Sequence, residues 1–151
     1  LLRPGGITLE MLRAAVGEVA VDPAVTRPLA PGAAAASPGM KYRHYAPRAR
    51  VILLRGPADA YVRYVNRHAQ PGVLALCFDG EEAALAVPFL TYGRRDDPAA
   101  QARQVFDALR QADERGASLV YAACPSPDGV GLAVYNRLLR AAAFEVIDVD
   151  G

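Results

Sequence analysis

The fold is decided by the stretch Leu119-Val120-Tyr121-Ala122-Ala123-Cys124, a continuous apolar run. Such a run predicts a strand buried on both faces, because a half-exposed strand would alternate polar and apolar side chains. A helical pattern precedes the run, with Asp97-Pro98 as its start signal and Gly116 as its end. Another helical pattern follows over residues 131–143. Strand and helix therefore alternate around this run, which is typical of a parallel sheet.

The same alternation extends toward both ends of the chain. Further short apolar runs predict strands at residues 51–54, 73–78, 87–92 and 145–149, the third being weakened by a proline. A helix is predicted over residues 58–70, and residues 81–86 read as a helical turn at most. The predicted fold class is therefore α/β. It is a small Rossmann-like parallel sheet of about five strands over residues 48–151, with helices on both faces.

Composition excludes several classes of protein. The chain has 151 residues, 52% hydrophobic and 22% charged, which excludes wholesale disorder. Its apolar runs are shorter than the roughly 20 residues of a membrane span, and no signal peptide is recognisable. A net charge of only +1 argues against a protein that coats nucleic acid. Cys77 and Cys124 lie in separate strand-like runs, which favours reduced thiols and a cytoplasmic location over a disulfide scaffold.

The region before the α/β pattern has a different character. Thr8 is placed to cap a short helix over residues 9–16, with Glu10 in its first turn. Residues 17–47 are rich in proline and alanine, which predicts an extended linker. Between residues 23 and 58 there is no acidic side chain. The six cations of that stretch are Arg27, Lys41, Arg43, Arg48, Arg50 and Arg55.

One segment of the linker mixes cations, aromatic rings and a hydroxyl. It reads Ser37-Pro38-Gly39-Met40-Lys41-Tyr42-Arg43-His44-Tyr45-Ala46-Pro47. The two cations can offset phosphate charge, and arginine can do so through two parallel hydrogen bonds. The aromatic residues supply flat faces with polar tips, and the glycine permits close approach of the backbone. Two interpretations stay open: a binding segment that docks on another part of the protein, or a tether packed on its own domain.

The remaining polar positions favour structural roles. The loop over residues 125–131 follows a strand and opens a helix, but it lacks a GxGxxG or P-loop pattern, so a tight turn is the favoured interpretation. Asn136, Arg137 and Arg140 share one side of the following helix, and a solvated face is favoured over a contact with another domain. His68 has no second ligand at metal spacing, and His44 has no acid nearby, so neither a metal site nor a catalytic dyad is predicted.

A family resemblance rests on three segments. They are Leu2-Arg3-Pro4-Gly5-Gly6-Ile7-Thr8, the linker motif SPGMKYRHYAP, and Gly129-Val130-Gly131-Leu132-Ala133-Val134-Tyr135-Asn136-Arg137-Leu138. In these three segments the chain resembles the C-terminal part of two-domain threonylcarbamoyl-AMP synthases of the YrdC family. The resemblance implies that residues 1–16 end a YrdC-like catalytic domain, residues 17–47 form the linker, and residues 48–151 form a Rossmann-like domain. It also implies that the front domain makes threonylcarbamoyl-AMP from threonine, bicarbonate and ATP with Mg²⁺, for modification of tRNA.

The resemblance assigns roles by position. Arg3 matches an arginine near the nucleotide phosphates, and the linker motif matches a segment that closes over the active site. The matching motif residues are Ser37, Lys41, His44 and Tyr45, with Arg43 and Tyr42 as possible additions. The front domain is absent from this chain, so we expect no catalytic residue and no bound cofactor here.

The same resemblance sets expectations about partners and folding. The expected partners are the front domain itself, its substrates and downstream tRNA-modifying proteins, with no membrane. We also expect residues 48–151 to fold alone, and the linker over residues 17–37 to be mobile without the front domain. The alternatives are a non-catalytic α/β module that binds a nucleotide or tRNA, and a plain interaction domain.

Overall fold

A computed structural model describes residues 1–33 and 47–150 of the chain. Within these residues, five parallel strands form one sheet in the order β3-β2-β4-β1-β5. The strands are β1 (Arg50–Arg55), β2 (Val73–Cys77), β3 (Phe89–Thr91), β4 (Leu119–Ala123) and β5 (Val146–Asp148). The predicted α/β class and the parallel sheet are therefore confirmed.

The described helices follow the predicted caps. They are α1 (Leu9–Val16), α2 (Ala58–Arg67), α3 (Pro98–Glu114) and α4 (Gly131–Ala141), with 3-10 turns at Pro23–Val25 and Glu82–Ala84. Thr8 caps α1 by accepting a hydrogen bond of 3.1 Å from the Met11 amide. Asp97 caps α3 in the same way, at 3.0 Å from the Ala100 amide. These side chains satisfy amides that the first helical turn leaves without partners.

The core is built around β4, which lies at the centre of the sheet. Val120 pairs with Val51 of β1 on one side and with Leu74 of β2 on the other. Two buried tyrosines brace this strand: Tyr61 donates its hydroxyl to the Tyr121 carbonyl at 2.8 Å, and Tyr92 donates to the Ala123 carbonyl. Each buried hydroxyl thus has an acceptor, as burial requires.

The order of the strands places a crevice at the carboxyl edge of the sheet. The chain leaves β2 toward β3 but leaves β4 toward β5, so the loops after these neighbouring strands diverge. Right-handed crossovers put α2 on one face of the sheet and put α3 and α4 on the other, where the two helices pack together. In doubly wound sheets, ligands bind at such a divergence. The fold therefore places a candidate site at the ends of β2 and β4.

Candidate functional site

The loop after β4 is a tight turn, as the sequence predicts. A Cβ on Gly131 would overlap the Ser126 carbonyl oxygen and lie 3.2 Å from its carbonyl carbon. Gly129 has a φ of +55°, in the left-handed region where glycine is favoured. At the end of the strand, burial raises the pKa of the Cys124 thiol to about 11, so the thiol stays protonated at neutral pH. This loop packs against its own helix and offers no activated nucleophile.

The opposite wall of the crevice follows β2. The guanidinium of Arg95 lies 4.7 Å from the centre of the Phe78 ring and donates to the Glu81 carboxylate at 2.6 and 3.1 Å. The charge of Arg95 is thus matched by a carboxylate. At the same edge, the buried Oε1 of Gln101 and Oε2 of Glu82 have no hydrogen-bond partner among the described residues.

Helix α4 binds the chain segment that precedes the domain. Asn136 donates its side-chain amide to the Val25 carbonyl, and Arg140 donates to the Ala24 carbonyl at 3.0 Å. Ala24 and Val25 are buried, with 4% and 0% of their surface exposed. The predicted solvated face of α4 is therefore wrong for Asn136 and Arg140. The expectation that residues 17–37 are mobile without the front domain does not hold at the Pro23–Val25 turn, because Ala24 and Val25 are buried and α4 supplies donors to their carbonyls.

A cleft lies beside this contact, between the N-terminal segment and α4. It has a volume of about 410 Å³, and its lining residues are Arg3, Pro4, Gly5, Gly6, Ala102, Val130, Ala133, Val134 and Arg137. The Arg137 guanidinium lies 4.1 Å from the centre of the Phe106 ring. Burial and the neighbouring charge of Arg3 lower the pKa of Arg137. Because both charged lining residues are arginines, the cleft presents positive potential that suits an anion.

Arg137 also departs from the prediction of a solvated face. It is partly buried, and it covers Phe106, which the helical pattern of α3 assigns to the core. Phe106 is instead 38% exposed, and its ring supports the guanidinium. Helical periodicity places an aromatic residue on the apolar face of a helix. It cannot tell whether that ring is buried in the core or lies exposed under an arginine of the neighbouring helix.

The predicted site residues divide sharply between described and undescribed parts of the chain. Arg3 lines the cleft. The other six lie outside the described residues: Ser37, Lys41, Tyr42, Arg43, His44 and Tyr45.

His68 has a structural role as the C-cap residue of α2. Its Nδ1 lies 2.7 Å from the Tyr64 carbonyl oxygen, and its ring stacks on the Tyr64 ring with centres 4.1 Å apart. Across residues 1–33 and 47–150, no three His, Cys, Asp or Glu side chains gather where they could hold a metal ion. The helices of the same residues include none that is long and apolar enough to cross a membrane.

Comparison with known proteins identifies relatives along almost the whole chain. The family model for "Threonylcarbamoyl-AMP synthase, C-terminal domain" matches residues 7–143. The chain is 38% identical to the threonylcarbamoyl-AMP synthase of Pyrococcus abyssi, covering 99% of this chain and 44% of that protein. It is 35% identical to the Bacillus subtilis synthase, covering 97% of this chain and 42% of that protein. The chain thus spans less than half the length of these curated relatives.

Solved structures agree with this assignment. A structure of Pyrococcus abyssi Sua5 complexed with L-threonine matches with a TM-score of 0.78 and 34% identity, over 99% of this chain and 44% of that one. A variant of the same protein, with a histidine and the tyrosine after it replaced by alanine, matches with a TM-score of 0.79 and 33% identity, over 100% of this chain and 43% of that one. A C-terminal Sua5 domain from Pyrococcus horikoshii matches with a TM-score of 0.50 and 27% identity, over 69% of this chain and all of that one. The sheet, its helices and the family model lead to one conclusion: the chain belongs to the family of threonylcarbamoyl-AMP synthase C-terminal domains.

Proposed function

We propose that this chain is the C-terminal part of a threonylcarbamoyl-AMP synthase that joins threonine, bicarbonate and ATP and releases pyrophosphate. The observation that carries the proposal is one of coverage. The relatives match 95–99% of this chain but extend to more than twice its length, which leaves room for a separate catalytic domain. In the parent protein the product would serve tRNA modification. The role of this chain would be to support and cover the active site of that domain.

Arg3 is the described residue with the strongest claim to touch substrate. It lies in a cleft whose second charged side chain is Arg137, and the lining contains no carboxylate. ATP and pyrophosphate are polyanions, and guanidinium groups bind phosphate oxygens through paired, charge-assisted hydrogen bonds. Among the described residues no three His, Cys, Asp or Glu side chains come together, so we assign no residue of this chain to the Mg²⁺ that accompanies ATP.

The linker motif would complete the phosphate site. Lys41 and Arg43 would offset phosphate charge, Ser37 would donate a hydrogen bond, and His44 and Tyr45 would fix the covering position. The His44-Tyr45 pair has particular support. The chain contains two histidines, and only this one is followed by tyrosine. The similar structure from Pyrococcus abyssi carries alanines in place of a histidine and the tyrosine after it.

The test is threonylcarbamoyl-AMP formation by the full-length parent protein. Lys41→Ala is expected to lower the rate about tenfold or more at subsaturating ATP and threonine, because a charge-assisted contact contributes about 1.5–3 kcal/mol. Tyr45→Ala is expected to lower the rate as well, because the tyrosine would fix the covering position of the motif. Arg103→Ala is the matched control, since it removes an exposed cation from α3. Melting curves must match the wild type. Wild-type rates in both motif variants would reduce the motif to a tether.

A binding module without catalysis is the second candidate, and the arginine cleft is what favours it. If residues 1–151 bind a nucleotide by themselves, ATP or pyrophosphate should saturate the chain, and Arg137→Ala should weaken that binding. Titration of the isolated chain with ATP, pyrophosphate and tRNA separates this candidate from the first. Saturable binding of tRNA, combined with an inactive parent protein, would favour the module.

A further inference from the structure

Arg137 on α4 carries a partly buried charge that no described acid offsets. Its guanidinium lies over the Phe106 ring, and burial together with the charge of Arg3 lowers its pKa. Across residues 1–33 and 47–150, the ion pairs are formed by other arginines, which are Arg50, Arg55, Arg63, Arg94, Arg95 and Arg110. Because a charge removed from water is costly without a counterion, an anion bound beside Arg137 would be stabilising.

The acids on the helices beside the cleft have other partners. On α1, the amides of Glu10 itself and of Gly129 lower the pKa of the Glu10 carboxyl. On α3, Asp107 accepts hydrogen bonds from the side chains of Arg110 and Gln111. Both carboxylates are thus matched by other donors, and the two cleft arginines are left with each other's like charge as a neighbour.

The cleft has room for a small polyanion. Its volume of about 410 Å³ lies within the range of small-molecule sites, which is about 300–1,000 Å³. The described lining residues other than the two arginines are glycines, a proline, alanines and valines. Apolar walls lower the local dielectric constant, which strengthens the attraction between a guanidinium and an anion. Two guanidiniums in one cleft suit a ligand with several phosphate oxygens, since each can bind two of them in parallel.

The side chain of Arg137 is held in place before any ligand binds. Its planar guanidinium rests on the Phe106 ring at 4.1 Å from the ring centre, which restricts the long side chain. The adjacent Asn136 donates to the Val25 carbonyl and so fixes the N-terminal segment against α4. A group that is already oriented loses less conformational entropy on binding. The arrangement therefore favours binding at Arg137 over a freely moving surface charge.

We propose that the α/β domain contributes Arg137 directly to the phosphate subsite of the parent enzyme. Together with Arg3, it binds the β- and γ-phosphates of ATP, which leave as pyrophosphate. This inference rests on the proposed function for the identity of the anion. It goes beyond a supporting and covering role, because it makes a residue of α4 part of the substrate site. Arg137 then affects the affinity for ATP and pyrophosphate but not the affinity for threonine.

The experiment compares two ligands in the full-length parent protein by isothermal titration calorimetry. Arg137→Ala is expected to raise the Kd of pyrophosphate about tenfold or more and to leave the Kd of threonine unchanged. The KM for ATP should rise in parallel. Arg137→Lys keeps the charge but loses the paired hydrogen bonds and the flat stacking surface, so its effect should be intermediate. Arg94→Ala is the matched control, since Arg94 is an exposed arginine of the same domain that pairs with Asp96.

The outcomes separate a binding role from a structural one. Wild-type pyrophosphate affinity in Arg137→Ala, or an equal loss of pyrophosphate and threonine affinity, would overturn the proposal. If Arg137→Ala does not match the wild-type melting curve, Arg137→Lys carries the same test. A wild-type parent that makes no threonylcarbamoyl-AMP would remove the proposed function. Pyrophosphate binding that depends on Arg137 would even then support the two-arginine anion site, whereas a parent that binds no pyrophosphate would overturn that site as well.

Discussion

Replacing Gly131 with alanine tests whether the loop after β4 is closed by packing. In an ordinary helix the change from glycine to alanine stabilises by up to about 1 kcal/mol. Here the added methyl would overlap the Ser126 carbonyl oxygen, which belongs to the backbone and cannot rotate away. Overpacking of this kind costs about 1–3 kcal/mol. We therefore expect Gly131→Ala to be destabilising by about 1–2 kcal/mol in net terms.

The assay is the unfolding of residues 1–151 by urea and by heat, monitored by circular dichroism. A loss of this size lowers the melting temperature by roughly 3–8 °C in a domain of this size. Gly6→Ala is the control, because a Cβ there meets no described atom within 4 Å and the backbone needs no left-handed φ. That variant should match the wild type or exceed it slightly. If Gly131→Ala proved as stable as Gly6→Ala, the loop would have spare room, and the tight-turn interpretation would fail.

Two further predictions concern buried titratable groups. Burial raises the pKa of Tyr61 and Tyr92. Their contribution to the free energy of unfolding is therefore complete below about pH 10, the pKa of tyrosine in the unfolded chain, and is lost as the pH rises above it. The free energy of unfolding should fall as the pH rises above about 10, and Tyr61→Phe should flatten that fall in urea titrations. Burial also raises the pKa of Cys124 to about 11 and that of Cys77 to about 12. At about pH 8, iodoacetamide should modify both thiols about a hundredfold more slowly in the folded chain than in urea. Intact-mass spectrometry follows the labelling, and fast labelling of Cys124 in the folded chain would contradict the prediction.

The strands and helices were predictable because each has a burial pattern that the sequence carries directly. All five residues of β2 are buried, and four of the five in β4 are, which is why both read as unbroken apolar runs. The third strand is shorter than predicted, with three residues in place of six. Pro88 contributes only its carbonyl, which accepts from the Ala75 amide, so regular pairing begins after it.

The docked linker ends could not be predicted from residue types. The acceptors for Asn136 and Arg140 are backbone carbonyls, and the donors to Asp113 are backbone amides. Every residue has a backbone carbonyl and every residue except proline has a backbone amide, so the receiving segment has no compositional signature. Only the side-chain partners left a trace in the sequence: an amide and a guanidinium donor four residues apart on one helix, and a carboxylate acceptor in the last turn of another.

The six cations between residues 23 and 58 fall into two groups, those within β1 and those before it. Arg50 and Arg55 begin and end β1, and each pairs with an acid beside or within β5, Glu145 and Asp148 respectively. These exposed pairs add little to stability, but they account for both charges within the sheet. The remaining cations of the stretch, Arg27, Lys41, Arg43 and Arg48, all precede β1. No acidic side chain between residues 23 and 58 offsets these four charges, and this local excess of positive charge supports the proposal that the linker motif meets a polyanion.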